Sequence, residues 1–392
     1  MNSVLFIAKN FYPDNNPQAI LLKNILEHLS LNKNIDTHLF TETKKKIIIK
    51  YLKYNTYSLK INKIWKFIDL IPFFSVYNFI KQKYSKQIDI LKEYIIKNDI
   101  KILVSFSNPF LLNIISYILA KELNIKNIIH YSDPVYNTIY KKYFFSHKNF
   151  LVKTIERNIL DKADHIICNN IDMIKFIFNN QKKFFFNKTT IIPHSFNAKD
   201  YVNKKFYKKN DCLIISYLGA LNKIRNPIMI IEVFKNLKNE SLIPVNTQLN
   251  FYGPLDPFME KYSFENKKNN KLYKIFFYKN LSYKESIKKM FESDLLLAID
   301  APNENVYLTT KIIQYLITSK LVINITNKNS PNYKIGKKAN FVYADINSAK
   351  DIKNKIIYAI NNYKNFRYNL SFVNKFRSEK ISKKWSQLLL SL

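Results

Sequence analysis

The stretch SYLGALNKIRNP, residues 216–227, sets Gly219 directly after the apolar run 213–218 and Arg225 six positions later. A glycine lets a ligand approach the backbone without meeting a Cβ. Arginine adds a permanently charged, planar fork suited to phosphate oxygens, and Lys223 lies in the same loop. Pro227 is placed to open the next helix at its first position. An ordinary strand-to-helix turn with an exposed arginine would have the same letters. A second segment, APNENVYLTTKIIQYLITSKLVINI, runs from a loop into a helix opening near Thr309, then into a strand. Thr309 or Thr310 can cap that helix, leaving backbone N–H groups for an anion. Lys311 adds charge at the same end, and Gln314, one turn on, offers a donor and an acceptor to a sugar hydroxyl. Both segments place their loops at the carboxyl ends of parallel strands, where open α/β sheets bind ligands.

The elements that must hold these loops are legible as an alternation. Residues 3–8 read as a buried strand, and NPQAILLKNILEHLSLN follows with helical spacing. DTHLF, IKILVSF, KNIIHY, DHIICNN and TTIIPH continue a first series of strands. After the polar stretch SFNAKDYVNKKFYKKND a second series begins, with CLIISYL, QLNFYG, YKIFFY, LLLAI, LVINI and NFVYA. Such alternation implies parallel sheets with helices on both faces. The fold class expected is therefore α/β, two Rossmann-like domains (1–200 and 201–375) facing a central cleft. A final amphipathic helix, 376–392, packs back on the first domain. An insertion at 44–84 interleaves lysines with Trp65, Phe67, Phe73, Phe74, Tyr77 and Phe79. A basic-aromatic helix suits a membrane interface; a core-packed helix with lysines on its wet face has the same pattern.

Composition narrows the function classes. The chain of 392 residues has only three glycines, and Lys and Arg exceed Asp and Glu to give a net charge of +34. An AT-rich coding bias accounts for scarce glycine and abundant lysine, so the glycines that survive carry more information. The charge favours anionic partners. Cys168 and Cys212 sit in apolar runs without a pairing pattern, and read as reduced core residues. With Gly219, Gly253 and Gly336 far apart, neither a Walker loop nor a dinucleotide G-x-G-x-x-G can be built. Metal-ligand spacing of Cys and His, an Asp-x-Asp pair and a glycine-flanked serine are all missing from the sequence. No run approaches the length of a membrane span, and the N-terminus reads as a first strand, which points to a cytoplasmic chain.

In their order and wording these segments resemble the family-four glycosyltransferases, bacterial polysaccharide enzymes of the GT-B fold. The likeness runs from LFIAKNFYPDNNPQAILLKNILEHL through ILVSFSNPF, NIIHYSDPVYN, LDKADHIICNN and TTIIPHSFNAKDY. It continues through YLGALNKIRNP, FYGPLD, FFYKNLSYKES, FESDLLLAI and TTKIIQYLITSKLVI. The resemblance implies transfer of a sugar from a nucleotide-sugar donor to a saccharide or lipid-linked acceptor, with retention, no metal and no cofactor beyond that co-substrate. It gives Arg225 the donor diphosphate, supported by Gly219, Lys223, Thr309, Thr310 and Lys311, and gives Gln314 a ribose hydroxyl. Glu304 would meet the donor sugar, and Asp133 and His130 would orient or deprotonate the acceptor hydroxyl. A hydrogen-bonded strand-end histidine, or an aspartate capping a helix beside Pro134, would look the same. The acceptor class implies work on surface polysaccharide (capsule, O-antigen or lipopolysaccharide) at the inner face of the cell membrane, with an anionic lipid surface as partner. The sequence departs from the family at Asn15-Asn16, where a glycine pair is common, at Ala220, where an arginine is common, and at Val306 and Gln314, which stand for glutamates. A catalytically degenerate GT-B scaffold is the alternative those departures suggest. Charge and aromatics alone would suit a nucleic-acid-binding protein, but no RNA-binding signature accompanies them and no nucleic-acid partner is expected.

Overall fold

The computed structural model describes residues 1–14, 16–44, 46–57, 76–135, 146–178, 186–201, 212–303 and 305–392. They form two compact units, Met1–His194 with Ser378–Leu392, and Ser195–Arg377.

The first unit is built on seven parallel strands: β1 (Asn2–Ala8), β2 (Ile35–Thr41), β3 (Lys53–Thr56), β4 (Ile102–Phe106), β5 (Lys126–Tyr131), β6 (His165–Cys168) and β7 (Thr189–Ile191). Their order across the sheet is β3-β2-β1-β4-β5-β6-β7. Side chains alternate between faces along each strand, so one cluster holds Leu5, Ile7, Leu103, Ile129 and Ile166 while the other holds Val4, Phe6, Val104, Ile128 and Ile167. Both faces are apolar because helices cover both, as parallel sheets require. The second cluster is closed by Leu22, Ile25 and Leu26 of the helix Pro17–Leu29 and by Ile381, Trp385 and Leu389 of the C-terminal helix Ser378–Ser391. The Ser382 hydroxyl donates to the Ile25 carbonyl at 3.0 Å, and Asn2 Nδ2 to the Leu389 carbonyl at 2.8 Å. The last helix thus returns to the first unit, as expected. Full burial of Trp385 alone removes an indole from water, worth several kcal/mol by area.

Within the insertion the structure differs from a single basic-aromatic helix. Lys53–Thr56 form an edge strand with all four residues exposed, which no apolar alternation announces. Val76–Lys83 form a helix that buries Val76 and Ile80 in the first cluster, with Tyr77 and Phe79 packed beside them. Here the lysine-bearing helix is a core helix. Trp65, Phe67, Phe73 and Phe74 lie outside the described residues.

The second unit repeats the plan with β8 (Ile214–Leu218), β9 (Gln248–Tyr252), β10 (Ile275–Tyr278), β11 (Leu295–Ile299), β12 (Leu321–Thr326) and β13 (Val342–Asp345). The order is β10-β9-β8-β11-β12-β13, all parallel. The unit begins at Ser195, ahead of the expected boundary, because Phe196 is buried within it and pairs its N–H with the Phe376 carbonyl at 3.0 Å. Asp200 accepts from Tyr283 Oη at 3.0 Å in the same unit.

Candidate functional site

In each sheet the strand order turns back at one place, between β1 and β4 and between β8 and β11. Helices leave to opposite faces there, so a crevice opens outside the carboxyl ends. In the second unit Gly219 follows β8 at that position and Asp300 follows β11. Gly219 has φ +154°, where a side chain is strained. A Cβ on Gly219 would overlap Cε and Nζ of Lys311. Gly253, after β9, lies so close behind that its own Cβ would fall 2.6 Å from the Gly219 carbonyl carbon. The expectation of an open backbone at Gly219 is therefore corrected: the space is filled by the Lys311 side chain.

Lys311 sits on the six-residue helix Thr310–Tyr315. Its Nζ donates to Tyr217 Oη at 2.9 Å and lies 4.6 Å from that ring's centroid. Tyr217 is fully buried on β8, and its hydroxyl donates to the Ala220 carbonyl at 3.0 Å. Four residues beyond Lys311, on the same helix face, Tyr315 Oη accepts from the Leu218 N–H at 3.0 Å. Two side chains of this helix are thus bound to the end of β8. Burial also pushes the Tyr315 phenol well above its usual range, so it stays a neutral hydrogen-bonding group.

Thr309 occupies the cap position of that helix, but its side chain makes no capping bond. Its N–H and hydroxyl both donate to Asn332 Oδ1, at 3.0 and 3.3 Å. Buried Asn332 in turn donates to Asp300 Oδ1 at 2.7 Å, and the other Asp300 oxygen accepts from Thr326 Oγ1. The side-chain cap expected of Thr309 is thus corrected: the bond its hydroxyl makes is a donation to Asn332, and no helix N–H reaches its oxygen. Thr310 and Gln314 are half-buried on the same helix. A helix of one and a half turns sums few peptide dipoles, which leaves Lys311 as the main positive group at its start.

The loop after β8 is tied at its middle. Asn222 Oδ1 accepts from the N–H groups of Ile224 and Arg225, at 3.0 and 2.7 Å, an Asx turn. Asp256 Oδ2 accepts from the Lys223 N–H at 2.9 Å while Oδ1 accepts from the Met259 N–H at 2.9 Å, joining this loop to the one after β9. Arg225 is half-buried and Lys223 exposed. Pro227 stands at the cap, one place before the helix Ile228–Asn239, rather than at its first position. Glu304 lies outside the described residues.

The first unit treats its two predicted residues differently. His130 on β5 is buried, with its ring 4.6 Å from Phe106 and stacked 5.7 Å from Trp385. Burial, aided by the nearby His194, lowers its pKa to about 3. It is a neutral packed ring with Ser132 Oγ 3.3 Å from Nδ1, not a presented base. Asp133, two residues past the strand, is exposed, and its carbonyl accepts from Ser107 Oγ at 3.3 Å. Sequence reasoning passed over Tyr217, Asp300, Asn332 and His194. Asp300 had a signal, an acid directly after the fully apolar LLLAI. Tyr217 had none, because a tyrosine inside an apolar strand reads as core. Among the described residues no group of three or more His, Cys, Asp or Glu is placed to hold a metal ion, and no helix is long and apolar enough to cross a membrane.

No family model and no curated protein matches this chain. Solved structures do. Sucrose-phosphate synthase from Thermosynechococcus elongatus is similar with a TM-score of 0.70 at 15% identity, covering 100% of this chain and 99% of that one. HepE of Anabaena, in complex with UDP and glucose, has a TM-score of 0.68 at 12% identity, covering 100% of both chains. The lipopolysaccharide outer core galactosyltransferase WaaB, in its apo form, has a TM-score of 0.63 at 12% identity, covering 99% of both. The fold is that of the GT-B glycosyltransferases.

Proposed function

We propose that the chain is a glycosyltransferase that moves a hexosyl group from a nucleotide-sugar donor to a hydroxyl of a saccharide or lipid-linked acceptor. The observation that carries this reading is the seating of Lys311 on Gly219 at the turning point of the second sheet. In the transfer, the bond from the sugar's anomeric carbon to the diphosphate oxygen breaks and the diphosphate leaves with the electron pair. The acceptor oxygen bonds that carbon and gives up its proton. Charge therefore gathers on the leaving diphosphate, and a fixed ammonium lowers the barrier most when it is in place beforehand. Lys311 fills that role. Arg225 adds a planar fork from the tied loop, and Gln314 is assigned to a ribose hydroxyl. Thr309 and Thr310 supply the backbone around Lys311, and Lys223 lends charge from the exposed side of the loop.

The second unit is thus the donor domain and the first the acceptor domain. Asp133, exposed after β5, is the group assigned to the acceptor proton; His130 serves packing. Retention and a metal-free reaction belong to the same proposal. HepE's bound UDP makes uridine diphosphate sugars the first donors to try. The WaaB likeness favours lipopolysaccharide among surface polysaccharides. A seat on the inner face of the cell membrane is supported by the charge of +34 and by exposed Ile48 and Tyr51 beside Lys50.

A second reading, a scaffold that binds nucleotide sugars without turning them over, is favoured by Val306 and Gln314 standing where the family carries glutamates. Thermal shifts with UDP-, GDP- and ADP-sugars, followed by assays for released nucleoside diphosphate, separate the two. A shift with release supports transfer. A shift without release, over a range of saccharide and lipid-linked acceptors, favours the scaffold. No shift with any donor sinks both.

A further inference from the structure

We propose that Tyr217 is a positioning residue for an anion-binding lysine: its phenol holds the Lys311 ammonium over Gly219 in readiness for a nucleoside diphosphate. The proposal rests on the donor-site reading above and names a residue that reading does not use. Tyr217 has no exposed surface, and its ring lies in the core 6.2 Å from Phe251. Only the hydroxyl reaches the strand's end. There it has two partners with opposite demands. The Ala220 carbonyl can only accept, so it takes the phenolic proton at 3.0 Å. The ammonium can only donate, so it meets the oxygen's lone pairs at 2.9 Å. The ring face adds a cation–π attraction at 4.6 Å. Gly219 completes the arrangement, since any Cβ there would overlap the end of the lysine side chain.

A lysine stem has wide rotamer freedom, and a ligand that must gather it loses affinity to that ordering. Tyr217 removes the loss in advance. The need is specific to this loop: the residue after Gly219 is the uncharged Ala220, and the charge next to Gly219 comes from Lys311 on another element. A lysine recruited from elsewhere needs a fixed partner at the strand end, and a buried tyrosine is the rigid choice.

The test is a double-mutant cycle on the full chain, read by calorimetric titration with UDP, GDP and ADP, using whichever binds wild type best. Tyr217→Phe keeps the ring and, besides the contact with Lys311, removes only one part-buried bond, to the carbonyl of the exposed residue Ala220, so the fold should persist. It should weaken diphosphate binding by about 5- to 10-fold. Lys311→Met should weaken it by about 10- to 100-fold. The double variant should lose no more than Lys311→Met alone, since Tyr217 acts through the lysine. Equal affinity in Tyr217→Phe and wild type, or losses that simply add, would overturn the proposal while leaving the glycosyltransferase reading intact. Wild-type affinity in Lys311→Met would also overturn it, and that variant serves if Tyr217→Phe does not fold. Failure of the wild type to bind any of the three diphosphates would instead defeat the functional reading on which the proposal stands.

Discussion

Both units wind a parallel sheet in the same order over six strands, the first adding β7 at its edge, yet the carboxyl ends are finished by opposite means. In the first, the end of β5 is packed: His130 lies against Phe106 and Trp385, the latter supplied by the last helix of the chain. In the second, the ends of β8 and β9 are two glycines in contact, with a lysine laid over one of them. All three glycines of the chain fall in the second unit. The difference teaches what glycine is for when it is scarce. Among the described residues nine others have positive φ, including Asn124, Asn303, Asn329 and Asn340, since asparagine tolerates that region. Where only the backbone angle is demanded, asparagine, aspartate or serine serves at seven of the nine, and Tyr51 and Lys274 adopt it too. Where a Cβ would strike Lys311, the Gly219 backbone or Asn324 Nδ2 (2.6 Å from a Cβ on Gly336), glycine remains.

The largest expected effect breaks the packed end. Trp385→Ala should cost about 3–5 kcal/mol in denaturant unfolding, with the midpoint moving much more than for any surface change. A loss below about 1 kcal/mol would show that the helix Ser378–Ser391 contributes little to the first core. Next, Gly253→Ala forces a Cβ onto backbone that has no flexible end to yield, at φ +145°. A loss of about 2–3 kcal/mol is expected, read as a fall in Tm with both sheets still present by circular dichroism. Arg225→Ala should raise the donor KM and lower kcat, together about 10- to 30-fold in kcat/KM, with Tm unchanged. Wild-type kinetics in that variant would return the loop to an ordinary turn.

The last effect is a slope, small over any one pH unit. His130 is held neutral in the folded chain down to about pH 3, whereas it takes a proton near 6.5 when unfolded. Between those values the unfolded chain binds more protons, so stability rises with pH and is lost as pH falls from about 6.5 toward 3. His130→Gln should remove up to about 1.4 kcal/mol per pH unit of that slope. Stability curves of equal slope for the two proteins would place His130 in water rather than against Trp385.

The order of elements was open to reading from the chain, because alternation and helical spacing are local and most strands here are short apolar runs between polar turns. β3 was not, since Lys53–Thr56 sit on a sheet edge with every residue exposed; pairing with β2 makes it a strand, not its own pattern. The phosphate-loop residues were legible for a similar reason: a lone glycine after a strand, an arginine six places on and a lysine opening a helix are each local signals. Their working arrangement was not. Lys311 and Tyr217 meet only because β8 and β11 are neighbours in the sheet, and Thr309 turns its hydroxyl to Asn332 only because the helix Pro331–Lys338, which follows β12, brings that acceptor within 3.3 Å. His130 likewise read as a strand-end histidine until a helix from the far end of the chain closed over it. Local spacing decides which residues stand at a strand's end. What those residues touch depends on chain closure over long separations, where burial and competing hydrogen-bond acceptors choose among contacts that no short stretch can rank.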